Sequence, residues 1–182
     1  MSTIARFSLA EYDRIVESGA FDQRRLELIR GEIREMTPIG PEHEDVLDQL
    51  NVWSVERVSP QKARVRVQQS IGLPELDCAP EPDIAWVAPR RYSTGRPQAA
   101  DVFLIIEVAD SSLAYDRGDK AAMYAQAGIG DYWIVNLRDH VVEVHRDPQP
   151  NGYRDVSVYH NQDEVRPLAF PDVILRPSSL WA

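Results

Sequence analysis

Cysteine is almost absent from this sequence of 182 residues, in which Cys78 is the only one. A single cysteine excludes an internal disulfide and any cysteine-rich zinc site. Long apolar runs are also missing, because no stretch approaches the roughly 18 apolar residues of a membrane-spanning helix. The N-terminus likewise lacks the apolar segment of a signal peptide. We therefore expect a cytoplasmic protein without a membrane span.

Lysine is scarce as well, since the chain contains only Lys62 and Lys120 against 18 arginines. Where arginine supplies most of the positive charge, a lysine can be retained for its compact charge and its easily shifted pKa. The formal net charge of −9 argues against a general affinity for nucleic acid, because phosphate groups need cationic partners.

Positive charge is nevertheless concentrated in one region. Residues 57–96 carry seven basic and four acidic side chains, a local charge of +3, which leaves −12 for the remainder. This region could guide a phosphate-bearing substrate, and it could equally be ordinary solvated surface. The basic residues are Arg57, Lys62, Arg64, Arg66, Arg90, Arg91 and Arg96.

Length and composition favour one domain over residues 1–182, because 43% hydrophobic and 27% charged residues are ordinary for a globular protein. Within it, residues 102–136 predict a strand, a loop, a helix and a second strand. A continuous apolar run is followed there by a segment of helical period and then by another β-rich run. Two strands separated by one helix are most simply parallel.

Glu107 interrupts the first of these strands. Residues 102–106 are apolar on both faces, which is typical of a central strand. An unpaired carboxylate at its end would cost several kcal/mol and would need a protein cation, a bound metal or a raised pKa. Alternatively, the strand ends at Ile106 and Glu107 faces water. We favour a functional role, because ligand sites in open α/β sheets lie at the carboxyl ends of strands.

The following helix offers Glu107 a partner. Asp116 as N-cap and Gly128 as the C-terminal glycine would bound this helix. Lys120 then shares an apolar face with Tyr124, which directs the lysine toward the sheet. The alternative is an ordinary surface ion pair between Asp116 and Lys120, four residues apart.

The N-terminal third predicts a capped helix over residues 8–18, a hairpin hinged at Gly31 and a helix over residues 42–58. Alternation places Glu27 on the face of its strand opposite two leucines, so from the pattern alone we expect a solvent-facing carboxylate. His43 lies on the apolar stripe of the second helix. Such a histidine is more often a core residue, although a helix N-terminus also attracts anions.

Asp83 follows Pro82 at the start of a predicted strand, where Pro-Asp by itself indicates a turn. Further strands are predicted over residues 64–71, 131–137, 141–146 and 153–159. Together with Glu107 and Lys120, Asp83 makes a set of two carboxylates and an amine that a mixed sheet could bring together. Metal-dependent phosphodiester hydrolysis needs such oxygen ligands for a hard cation and a positive group near the attacking water.

At these residues the sequence resembles the Uma-type putative restriction endonuclease family of the PD-(D/E)XK nuclease superfamily. The resemblance covers most of the chain, from residue 9 to residue 176. The motifs that carry it, in order, are Glu27-Leu-Ile-Arg-Gly31, His43, Pro82-Asp83, Ile106-Glu107-Val108 with Ser111-Ser112, Asp116, Lys120 with Tyr124, and Asp131-Tyr132-Trp133.

The resemblance implies an α/β (α+β) fold, in which a restriction-endonuclease-like mixed β-sheet is flanked by helices and preceded by an N-terminal helix and hairpin. It implies that Asp83 and Glu107 bind Mg²⁺ or Mn²⁺, with the Val108 carbonyl as a third ligand. Lys120 would orient or deprotonate the attacking water.

One position departs from the superfamily pattern. The acid and the lysine usually stand one residue apart on one strand, but position 109 is alanine here. Members of the family carry the lysine on the next helix, at a position that Lys120 matches. The resemblance also implies that His43 and Glu27 lie nearby as catalytic residues, in roles that the family does not settle.

Two functions follow from the resemblance: a metal-dependent endonuclease that hydrolyses DNA, and a nuclease-like scaffold that binds nucleic acid or a protein partner without cutting. We also expect a homodimer, because two sites related by two-fold symmetry can cut both strands of a duplex. The β-rich C-terminal third has apolar side chains that a partner or its own core could cover. They are Tyr153, Val156, Val158, Tyr159 and Trp181.

Overall fold

The chain begins with a short capped helix. In this computed structural model, which describes residues 3–181, α1 spans Leu9–Glu17. The predicted capping box is present, because Ser8 and Glu11 each accept a hydrogen bond from the other's backbone N–H. These bonds satisfy two of the amide groups that a helix start leaves without partners.

A two-stranded hairpin follows α1. Its strands, β1 (Leu26–Ile29) and β2 (Glu32–Glu35), pair antiparallel on either side of Gly31, as predicted. Gly31 adopts a φ of +77°, and a Cβ at this position would lie 2.8 Å from the Cβ of Arg6. Only glycine fits both the backbone angle and the close approach of the N-terminal segment.

A six-stranded mixed sheet forms the centre of the molecule, in the order β3-β4-β5-β6-β7-β8. Every neighbouring pair is antiparallel except β5 and β6, which are parallel as the sequence predicts. The sheet and its flanking helices confirm the predicted fold class. The strands are β3 (Arg64–Val67), β4 (Ile84–Val87), β5 (Val102–Ala109), β6 (Asp131–Asn136), β7 (Val141–Gln149) and β8 (Gly152–His160).

Helices cover both faces of this sheet. The helix α2 (Pro41–Arg57) packs on one face, where Trp53 stacks on Trp86 of β4 with ring centroids 5.1 Å apart. The opposite face is covered by the helical segment that follows β5, and Met123 and Tyr124 of that segment are fully buried. With both faces covered, β5 is buried over its last six residues, which explains its continuous apolar run.

The helical segment after β5 starts earlier than the sequence predicts. It consists of α3 (Leu113–Tyr115), a π-helical turn (Asp116–Lys120) and α4 (Ala121–Gln126). Ser112 precedes the first turn, and the N–H of Asp116 donates to the carbonyl of Ser112. Asp116 is therefore inside the helical segment, and its prediction as the N-cap is wrong.

Two strand boundaries also differ from the predicted ones. β3 ends at Val67 instead of residue 71, because Gln68 adopts a left-handed φ of +47° and turns the chain away. β7 continues to Gln149, three residues beyond its predicted end at residue 146. Cys78 is buried, and this burial raises the pKa of its thiol, as suits an incidental cysteine. Across residues 3–181, no helix combines the length and apolar character needed to cross a bilayer.

Candidate active site

Strand register brings Asp83 and Glu107 side by side. Ile84 of β4 pairs with Ile106 of β5 in an antiparallel ladder. Asp83 precedes Ile84 and Glu107 follows Ile106, so these two residues also face each other. The backbone N–H of Asp83 lies 3.4 Å from Oε2 of Glu107, and the N–H of Val108 donates to Oδ2 of Asp83 at 2.9 Å. Both carboxylates are buried, so a water-facing Glu107 does not describe the structure, and Asp83 lies in a bend directly before β4.

Lys120 reaches the same two strands from the helical segment. Its Nζ lies 2.9 Å from Oε1 of Glu107 and 3.7 Å from Oδ1 of Asp116. The hydroxyl of Tyr124, one turn further on, donates to Oε1 of Glu107 at 2.9 Å. The inward direction predicted for Lys120 is therefore observed, and its contact with Asp116 is buried instead of being a surface ion pair. Single π-helical turns recur at functional sites because they redirect side chains in this way.

His43 and Gln68 approach Asp83 from the other side. Nε2 of His43, in the first turn of α2, lies 3.2 Å from Oδ1 of Asp83. The contact is close but poorly directed, so Nε2 has no hydrogen-bond partner. Nε2 of Gln68 donates to the same Oδ1 at 3.2 Å. The left-handed turn at Gln68 thus places its amide beside the carboxylate.

Glu27 is buried, and the prediction of a solvent-facing carboxylate is wrong. The residue is only 6% exposed, because the hairpin packs against the segment before β4, where Leu28 bridges Ala79, and all four residues of β1 are buried. Oε2 of Glu27 has no hydrogen-bond partner. Arg34 is its direct cross-strand neighbour, but the Arg34 guanidinium lies over the ring of Tyr115, 5.3 Å from the ring centroid.

These groups line one cavity of about 530 Å³. The hairpin, the start of α2, the ends of β4 and β5 and the π-helical turn all contribute to its wall. The five predicted catalytic residues border it together, as does the predicted third ligand. They are Glu27, His43, Asp83, Glu107, Val108 and Lys120.

The protonation of the central groups reflects their burial. Burial raises the pKa of Glu107 to about 8, against the opposing effect of Lys120. Burial also raises the pKa of Asp116. For Asp83, contacts with His43 and with backbone and amide donors outweigh burial and lower its pKa. Burial opposes the charge of Lys120, but the carboxylates around it prevail and raise its pKa, so Lys120 is an ammonium group.

Negative charge exceeds positive charge at the centre of the cavity. Four acidic side chains, those of Glu27, Asp83, Glu107 and Asp116, line the cavity with the single ammonium of Lys120, and the raised pKa of Glu107 favours a proton on it until a cation takes the proton's place. Oε2 of Glu27 and Oδ1 of Asp116 are buried without hydrogen-bond partners. A divalent cation would offset this excess, and carboxylate oxygens are the ligands that hard cations prefer. Within residues 3–181, however, no three acidic, histidine or cysteine side chains are grouped closely enough to hold a metal by themselves.

Some residues of the cavity were not singled out by sequence reasoning. Tyr115 has a buried hydroxyl without a partner, and burial raises its pKa to about 12. Neither Tyr115 nor Arg34 lies in a pattern that indicates a site, because their proximity depends on the hairpin meeting the helical segment. Tyr124, by contrast, was named from the sequence together with Lys120, since it follows the lysine by four residues on the same helical face.

The comparisons with known proteins concern almost the whole chain. No curated protein matches it. Among solved structures, it is similar to the crystal structure of "a putative nuclease belonging to DUF820" from Anabaena variabilis, with 17% sequence identity, a TM-score of 0.74, and coverage of 96% of this chain and 97% of that one. This likeness shows the fold. A family model described as "Putative restriction endonuclease" matches residues 9–178. The chain therefore belongs to the Uma2 family.

Proposed function

We propose that the protein is a metal-dependent endonuclease that hydrolyses phosphodiester bonds of DNA. The observation that carries this proposal is the cavity in which paired carboxylates from β4 and β5 lie beside a buried lysine, with negative charge in excess. Membership of the nuclease family supports the same reaction class.

The donor set suits Mg²⁺ or Mn²⁺. Asp83 and Glu107 supply two carboxylates a short distance apart, and the Val108 carbonyl supplies a neutral oxygen on the same side of β5 as its N–H, which bonds Asp83. A cation held there would polarise a phosphoryl oxygen and make a nearby water more acidic. Other carboxylates of the cavity, Glu27 and Asp116, would add to its electrostatic attraction.

The chain's own groups then have separable roles. Lys120, as an ammonium group 2.9 Å from Glu107, orients the attacking water and stabilises the negative charge that develops on phosphorus oxygens. Lys120 suits these roles better than the removal of a proton from water, because the neighbouring carboxylates raise its pKa and keep it protonated. His43 and Gln68 orient Asp83. Glu27 has an oxygen without a partner and could accept a proton from the water.

A metal titration combined with a substrate panel tests this proposal. The protein is incubated with supercoiled plasmid, single-stranded DNA and RNA while Mg²⁺ or Mn²⁺ is raised, with chelator as the control. We expect nicked or linear plasmid only when metal is present. Cleavage of RNA alone would show that the substrate is RNA and not DNA. Metal binding without cleavage of any of the three would favour the alternative, a nuclease-like scaffold that binds without cutting.

We further propose that the enzyme is a homodimer that pairs through β8. This strand is at one edge of the sheet, and Val156 and Val158 are 49% and 50% exposed on it. A free strand edge with apolar side chains is a template for pairing with another chain. Of the apolar groups named from the sequence, Tyr153, Tyr159 and Trp181 pack within the chain, so only the two valines remain available.

Light scattering at micromolar concentration checks the dimer. We expect twice the chain mass of 20.7 kDa for the unmodified protein. Val158→Lys should give the chain mass, because a charge on the edge opposes pairing. A mass of one chain for the unmodified protein would contradict the dimer, and duplex cleavage would then proceed by successive nicks.

A further inference from the structure

The opposite edge of the sheet carries arginines that the proposed chemistry does not use. Arg64 and Arg66 project from the same face of the edge strand β3, opposite Val87 and Ala85 of β4. Two further arginines, Arg90 and Arg96, approach them from the loop that follows β4. We call these four residues the arginine cluster.

Three members of the cluster are linked through two shared partners, Tyr92 and Ser70. The guanidinium carbons of Arg66 and Arg90 lie 5.8 and 5.3 Å from the ring centroid of Tyr92. Nη2 of Arg66 donates to the carbonyl of Ser70 at 3.3 Å. Nε of Arg96 donates to the Ser70 hydroxyl at 2.8 Å. The fold therefore holds three guanidinium groups around one tyrosine and one serine.

The cluster is short of negative charge. Throughout the part of the chain that the structure describes, neither Arg64 nor Arg66 forms an ion pair, whereas Arg90 and Arg96 each bind one aspartate. Nε of Arg66 is buried without a hydrogen-bond partner. Burial and the neighbouring charges of Arg64 and Arg96 lower the pKa of Arg66. Such a group of like charges, with a buried donor left over, is complementary to an anion.

The arginine cluster lies along the strand that ends at the cavity. β3 ends beside Gln68, whose amide bonds Asp83 at 3.2 Å. At the rise of an extended strand, Arg66 and Arg64 lie about 7 and 13 Å from Gln68 along β3. The cations thus form a row that begins near the paired carboxylates and continues outward along the sheet edge. An anion that fills this row has to be extended and to carry repeated negative charges.

We propose that the arginine cluster binds the phosphate backbone of the nucleic acid strand whose scissile bond enters the cavity. The choice of a nucleic acid rests on the proposed function, whereas the position of the strand rests on the cluster. Phosphates spaced along the strand contact Arg66 and Arg64 in turn. The excess of negative charge elsewhere on the protein repels a strand from other surfaces and favours this edge.

Binding without cleavage tests the cluster. Fluorescence anisotropy with a labelled single strand, and with its duplex, is measured in chelator over a range of salt concentrations. The variants are Arg64→Gln with Arg66→Gln, and Arg64→Gln alone, whose exposed position protects the fold. The matched control is Arg166→Gln with Arg176→Gln, which removes the same charge from exposed sites outside the cluster and outside β8.

We expect the double cluster variant to bind about tenfold or more weakly at low salt, with the log–log salt slope reduced by about 1.4 for the single strand or about 1.8 for the duplex. The control should bind as the unmodified protein does. Equal losses of affinity in the control and the cluster variants would contradict binding by the arginine cluster. Absence of binding by the unmodified protein would contradict it as well. Cleavage is measured in a separate assay. Binding through the cluster without any cleavage would contradict the proposed hydrolysis and leave the proposed binding in place.

Discussion

Glu107→Gln is expected to abolish stabilisation of the protein by Mn²⁺ and to lower DNA hydrolysis by about a thousandfold or more. Glutamine keeps the shape of the side chain, and its carbonyl can still accept the bonds from Lys120 and Tyr124. It removes the negative charge that a hard cation needs. The two losses should therefore occur together, without loss of the fold.

Thermal unfolding with and without Mn²⁺ measures the first loss. For the unmodified protein, free metal at about a hundred times its dissociation constant adds about 2.7 kcal/mol to the free energy of unfolding. At this chain length that is an increase of about 5–11 °C in Tm. Glu107→Gln should show almost no increase. An increase equal to that of the unmodified protein would remove Glu107 from the metal site.

Glu143→Gln is the matched control for Glu107→Gln. Glu143 is also a buried glutamate on the main sheet, but it binds Arg117 and Asn136 and does not border the cavity. We expect it to lower the free energy of unfolding, because a buried charge pair is broken. Its increase in Tm with Mn²⁺ should equal that of the unmodified protein. The comparison separates the loss of a metal ligand from the loss of a buried carboxylate.

Lys120→Met should lower turnover by about a hundredfold or more while metal binding is kept or strengthened. Methionine fills the space of the lysine stem, but the carboxylates then lose their only ammonium partner. The metal-free protein should consequently unfold at a lower temperature, since Glu107 and Asp116 lose the cation that offsets their burial. Mn²⁺ should restore more stability to this variant than to the unmodified protein, because it replaces the missing positive charge.

Isothermal titration with Mn²⁺, run beside a single-turnover cleavage assay, distinguishes the two roles of Lys120. Equal losses of metal affinity and turnover would make it a structural counter-charge to Glu107. Tyr124→Phe is the uncharged comparison, because the Tyr124 hydroxyl donates to the same Oε1 of Glu107. We expect this variant to lose no more than about tenfold in turnover, which corresponds to about 1.4 kcal/mol, the upper value for one ordinary hydrogen bond.

Much of this site follows from local pattern. The apolar run that ends in Glu107 indicated a central strand with an anomalous carboxylate, and helical spacing directed Lys120 inward. Both features depend on short-range periodicity, which repeats every two residues in a strand and every 3.6 in a helix. The capping box of α1 and the turn at Gly31 were predictable for the same reason, since a few adjacent residues determine them.

The errors fall where distant segments meet. Glu27 has the alternation of a solvent-facing residue, and it is buried because the hairpin packs against the segment that precedes β4. Asp116 has the character of an N-cap, but the helical segment begins three residues before it at Leu113 and includes Asp116 in a π-helical turn. In both cases tertiary packing outweighs a local preference worth about 1 kcal/mol.

The sequence by itself determined the elements of this protein, the order in which they occur, and the candidate residues each one carries. Only the tertiary structure decided that Asp83 and Glu107 face each other, because their proximity depends on the register between β4 and β5. It also decided that two carboxylates, those of Glu107 and Asp116, share one lysine and that the arginines collect at the β3 edge. Register and burial arise from contacts between residues far apart in sequence, and no local pattern records such contacts.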